Sequence, residues 1–175
     1  VLWGARLLRA DPGNSLAWRS LAIAIEHQGD RGKARMLWQR AYETSPYDAE
    51  ARAGLNRTTL EDLDSLTLNQ ASLATLYVRN GRWEEATREY HALLSSATGT
   101  ATNWREAIFT EYQTNLMIGL WQTRQKQEAY QMALGLARQQ RNLLFPWHVL
   151  NDIGDANDMA LAFNPLQQMD PDGTY

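Results

Sequence analysis

The chain has 175 residues, with Lys+Arg 17 against Asp+Glu 20, a formal net charge of −3 and 44% hydrophobic residues. That balance excludes a domain that binds nucleic acid through bulk positive charge, and the apolar content is enough for a core rather than wholesale disorder. With no cysteine, disulfide frameworks, thiolate zinc sites and cysteine nucleophiles are excluded, and no apolar run approaches the roughly 18 residues of a membrane span.

Gly and Pro sit mostly at segment edges, Val and Ile are sparse, and Ala, Leu, Gln, Arg and Glu are plentiful. This usage favours helices over strands. Leu7 to Asn14 reads as the end of one helix followed by a turn at Pro12-Gly13, as if the chain started in the middle of a repeat. From Ser15 to Tyr47 the signals are clearest. Asn14-Ser15 offers an N-cap, and Leu16, Trp18, Leu21, Ala22 and Ile25 recur at helical spacing. Gly29-Asp30 marks a stop, and a second helix carries Ala34, Leu37, Trp38 and Ala41 before Pro46. Two helices joined by so short a turn predict an antiparallel hairpin.

The spacing Trp18-x2-Leu21-Ala22-x2-Ile25, Ala34-x3-Trp38, Ala41, Pro46 resembles the tetratricopeptide repeat, whose pattern is Trp-x2-Leu-Gly-x2-Tyr, Ala-x3-Phe, Ala, Pro. The departures are Ala for Gly, Ile for Tyr and Trp for Phe. Weaker copies follow at Leu73-Ala74-x2-Tyr77, Gly81, Ala86-x3-Tyr90, Leu93, and at Leu116-Met117-x2-Leu120, Ala129-x3-Ala133, Leu136. The period is irregular, with an extra helix expected within 48–64 (Ala49, Ala51, Ala53, Leu55, Leu60, Leu63) and a polar loop at 95–102 before a helix that begins near Asn103. The resemblance implies an all-α, right-handed α-solenoid of about three such hairpins with irregular insertions.

Residues 143–175 contain no Lys or Arg and five Asp, against 17 basic and 15 acidic residues in 1–142. The organisation expected is therefore a repeat array over 1–142, then an acidic capping segment and tail over 143–175. Phe145-Pro146-Trp147 reads as a helix start with Pro in the first turn, and Leu166, Met169 and Tyr175 are candidate apolar anchors for the tail.

Little points to catalysis. His27 and His91 have no clustered ligands, and a single His fixes no metal. His148, Asp152 and Asp155 fall at i, i+4 and i+7, which one helical face could present as a divalent site or proton relay. A solvated acidic cap explains them equally well, so a small metal-dependent hydrolase is a minor alternative. No cofactor, catalytic residue or metal ligand is assigned.

In proteins with tetratricopeptide repeats the concave surface made by first helices commonly takes a peptide. By alignment to the repeat that surface carries Leu16, Arg19, Ile23, Glu26 and His27, then Leu68, Ala71, Thr75, Val78 and Arg79, then Glu111, Thr114, Ile118, Trp121 and Gln122. Arg19, Ile23, His27, Val78, Arg79, Ile118 and Trp121 are the candidate partner-binding residues, with an inward Trp121 either a recognition hot spot or a residue covered by the C-terminal segment. The resemblance argues against terminal-carboxylate capture of the chaperone-binding kind, because Ile23 follows Arg19 by one turn and Thr114 and Ile118 carry no charge. The expected partner is a protein or peptide, with no nucleic acid and no membrane insertion in this segment. A regulatory or assembly appendage of a larger, even membrane-bound, protein is the alternative, and an open solenoid end with Trp3, Leu7 and Leu8 suggests self-association.

Overall fold

The computed structural model describes residues 2–59, 69–96 and 103–173, and these form ten helices and no strand. None of these helices is long and apolar enough to cross a membrane. The chain divides into two compact units, Val1–Asn80 and Gly81–Tyr175.

The first unit holds α1 (Leu2–Ala10), α2 (Ser15–His27), α3 (Arg31–Thr44), α4 (Ala49–Thr58) and α5 (Gln70–Arg79). Asn14 caps α2, its Oδ1 accepting the Ala17 N–H at 2.9 Å. Such a cap stabilises a helix by about 1 kcal/mol. Gly29 turns the chain at φ 82°, a left-handed conformation that a side chain would resist. Asp30 then caps α3 through the Lys33 N–H at 3.0 Å. The resulting hairpin buries Trp18, Leu21, Ala22, Ala34, Leu37, Trp38 and Ala41. Small residues at 22, 34 and 41 let the backbones approach, and the two indoles fill the space beside them.

Asp48 caps α4, which lies on α3 with Ala51, Gly54, Leu55 and Thr58 buried. A Cβ on Gly54 would collide with the Trp38 ring, so glycine sets how closely α4 approaches. Two charged bridges tie α4 to α2: Arg19 to Asp48 at 2.9 Å, and Arg57 to Glu26 at 3.2 Å. The pairings advance in the same direction along both helices, so α2 and α4 run parallel. Of the helix expected within 48–64, α4 supplies 49–58; Leu60 and Leu63 lie outside the described residues. Helix α5 packs against α3, where Asn69 donates to Glu43 Oε1 at 2.6 Å and Arg79 to the Thr44 carbonyl at 2.7 Å. Glu43 also pairs with buried Arg40, whose guanidinium lies 5.6 Å from the centre of the Trp18 ring.

The second unit holds α6 (Trp83–Ser96), α7 (Asn103–Gln122), α8 (Lys126–Gln139), α9 (Leu144–Ile153) and α10 (Ala156–Met169), each packed on its sequence neighbour. Helices α6 and α7 run antiparallel. Thr87 faces Gly119, where a Cβ would strike the hydroxyl, and Asn115 donates to the Tyr90 hydroxyl at 3.1 Å. Tyr90, Met117, Leu120, Ala129, Ala133, Leu136, Val149, Leu150 and Ala162 form the core. Pro146 falls in the first turn of α9, as its sequence context predicts. The second repeat copy straddles the two units: Leu73, Ala74 and Tyr77 belong to the first, and Ala86, Tyr90 and Leu93 to the second. Of the polar loop, Ser95 and Ser96 end α6, and 97–102 lie outside the described residues.

Candidate interaction surface

In the first unit, α2 carries Arg19, Ile23 and His27, with Arg19 and Ile23 half-buried and His27 exposed. The row is turned toward α4 rather than left open. Arg19 engages Asp48 and also approaches Glu50 Oε2 at 3.4 Å. Glu26 accepts the Trp38 indole N–H at 2.8 Å and both Arg57 donors at 3.2 Å, while the Arg57 guanidinium lies 5.5 Å from the centre of the Trp38 ring. The Arg57 hydrogen bond holds the Glu26 carboxyl below the usual glutamate range despite partial burial, with the indole adding to it. Val78 is half-buried on α5, and Arg79 is committed to the Thr44 carbonyl. Leu68 lies outside the described residues. Within this unit the five candidates therefore do not form one free binding row. Of the five, only His27 is exposed with no side-chain bond among the described residues, and both arginines are engaged internally. The sequence signal for this was the run Asp48-Ala49-Glu50, an N-cap whose carboxylates lie within reach of Arg19.

In the second unit, α7 carries Ile118 and Trp121, both half-buried. The earlier part of the same row is closed: Glu111 and Thr114 are buried, and neighbouring Thr110 accepts from Gln140 at 2.8 Å. What remains accessible lies around Ile118, Trp121 and the exposed Gln122. The Trp121 indole N–H donates to Asp152 Oδ2 on α9 at 2.8 Å. The acidic segment thus supplies a carboxylate to the very tryptophan that sequence reasoning singled out.

His148, Asp152 and Asp155 do not converge. Helix α9 ends at Ile153, and Gly154 interrupts it, so the i+7 periodicity breaks before Asp155. Asp155 instead caps α10 in a reciprocal box with Asp158. His148 Nε2 lies 3.4 Å from Asp170 Oδ2, and Asp152 serves Trp121. Among the described residues no group of three or more acidic or histidine side chains is placed to hold a metal ion. Asp158 Oδ2 also accepts the Tyr130 hydroxyl at 2.8 Å, which raises the phenol above its ordinary value. That bond latches α8 to α10. The tail, which composition suggests is disordered, is structured up to a turn at 170–173 with Asp170 buried; Leu166 and Met169 are half-buried, and Tyr175 lies outside the described residues.

Comparison of the chain with protein-family models, with curated proteins and with solved structures finds no match.

Proposed function

We propose that the chain is a helical-repeat interaction module of the tetratricopeptide kind, a right-handed α-solenoid that binds a segment of a partner protein along its first helices. The observation that carries the repeat reading is the α2–α3–α4 arrangement. An antiparallel hairpin with buried Ala22, Ala34 and Ala41 is followed by a helix that runs parallel to α2 and is bridged to it at Arg19–Asp48 and Glu26–Arg57. Stacked hairpins of this type expose first helices side by side, and a few pockets along them give specificity.

The binding role is carried by Trp121. A half-buried indole whose N–H is held by a carboxylate presents an aromatic anchor and a directed donor, the combination that dominates recognition surfaces. Asp152 occupies that donor. A partner that offers its own carboxylate beside an apolar side chain would take the indole from Asp152, with Ile118 and Gln122 beside it.

The test is capture of partners from a native lysate with wild-type protein, Trp121→Ala and Asp152→Ala. The expected result is one partner that weakens about thirtyfold on Trp121→Ala, the loss of a hot spot of about 2 kcal/mol, and strengthens on Asp152→Ala. A partner indifferent to both substitutions would overturn the assignment to this surface.

A further inference from the structure

Ten large apolar side chains are exposed among the described residues, and six of them fall in two places: Trp3, Leu7 and Leu16 on α1 and α2, and Met159, Leu161 and Phe163 on α10. The first three belong to an open groove of about 580 Å³ between α1 and α2, lined also by Gly4, Arg6, Ala17 and Ser20. Trp3 is 77% exposed and Leu7 45%, so the groove is built but not filled. On α10, Met159 and Phe163 stand one turn apart and form an apolar ridge, with Leu161 on the other flank of the exposed face. A groove and a ridge are complementary shapes, and contiguous exposed apolar surface of this kind marks an interaction site.

Charge favours the same pairing. Residues 1–10 carry Arg6 and Arg9 and no acid, whereas 143–175 carry five Asp and no Lys or Arg. Arg6 stacks over Trp3 at 5.1 Å and pairs with no carboxylate among the described residues. Asp155, at the N-cap of α10, lies one turn before Met159, so the row Asp155, Met159, Phe163 ends in a carboxylate. This matches a groove whose apolar residues are flanked by a guanidinium.

We infer that the groove between α1 and α2 takes the α10 ridge of a second copy of this chain, a head-to-tail contact. Because the two surfaces differ, each copy offers one groove and one ridge, and the contact can build either a closed ring, a reciprocal pair included, or an open chain of molecules. It uses neither Trp121 nor a foreign partner, so its failure and that of the proposed function are separate results.

The experiment is sedimentation equilibrium on wild-type protein, Trp3→Glu, Phe163→Glu and an equimolar mixture of the two variants. Both substituted side chains are largely exposed, and circular dichroism checks that each variant keeps its helix content. Wild-type protein is expected to rise in mass with concentration above the 19.9 kDa of one chain. Each variant alone stays monomeric. The mixture stops at the dimer, because the intact ridge of the Trp3→Glu chain meets the intact groove of the Phe163→Glu chain. A wild-type monomer at all concentrations, association that survives in either variant alone, or a mixture that stays monomeric would each overturn the inference.

Discussion

At Gly54 a single hydrogen atom decides how α4 meets the hairpin, because any Cβ would enter the Trp38 ring. Gly54→Ala should lower stability by about 1–3 kcal/mol through overpacking, even though alanine favours helix; an unchanged urea midpoint would show that α4 can slide away. Glu26 makes a pH-dependent contribution. Its carboxyl is held low in the folded chain, chiefly by the Arg57 hydrogen bond, so the stability it adds is present above the unfolded value. It is lost as pH falls through the folded one. The side chains are 29% and 52% exposed, so the effect is at most about 1 kcal/mol. Melting temperature should therefore fall less steeply below about pH 4.3 in Glu26→Gln than in wild type. Equal slopes would mean the bridge contributes nothing measurable. The residue pattern of the hairpin was legible because Trp18, Ala22, Ala34, Trp38 and Ala41 bury for reasons of size and spacing alone. The commitment of Arg19 was legible only in part: the Asp48-Ala49-Glu50 run marks a helix cap rich in carboxylates, but spacing within one helix does not say which helix lies alongside it.

Among elements, α10 shows what periodicity misses. Spacing of i, i+4 and i+7 gathered His148, Asp152 and Asp155 on one face, but Gly154 stops α9 and Asp155 starts a new helix. The Asp155-x-x-Asp158 pair was the readable signal, since an acid at the cap with another at the third helical position is a helix start. The Tyr130–Asp158 bond then fixes α10 on α8. Tyr130→Phe should lower the melting temperature and increase amide exchange in α10 more than in α7, whereas uniform exchange across both would assign the bond no local role. Tyr130 has its acidity suppressed by Asp158 first and by burial second. Its contribution is therefore full below the unfolded phenol value and fades as pH rises through the folded one.

For the whole molecule, the repeat copies in the sequence suggest one continuous array with an acidic cap after 142, whereas contacts in the structure cluster into units of 1–80 and 81–175. Each unit has its own buried aromatics, Trp18 and Trp38 in one and Tyr90 in the other. Expressed separately, each should be helical and unfold cooperatively, because an apolar core on this scale can fold alone; a molten fragment would show that its core needs the other unit. The helical class was legible from composition and spacing. That the acidic segment reaches Trp121 was one of two readings left open, because the Trp121–Asp152 bond joins residues 31 positions apart on helices that are not neighbours in sequence.

The most direct test of partner binding at Trp121 is photo-crosslinking from position Gln122, exposed and next to that indole, in wild-type and Asp152→Ala backgrounds within native lysate. The account predicts one dominant crosslinked protein, stronger when Asp152 is removed, and absent when the probe is moved to exposed Arg88 on α6. A partner that crosslinks at Arg88 but not at Gln122 would contradict it.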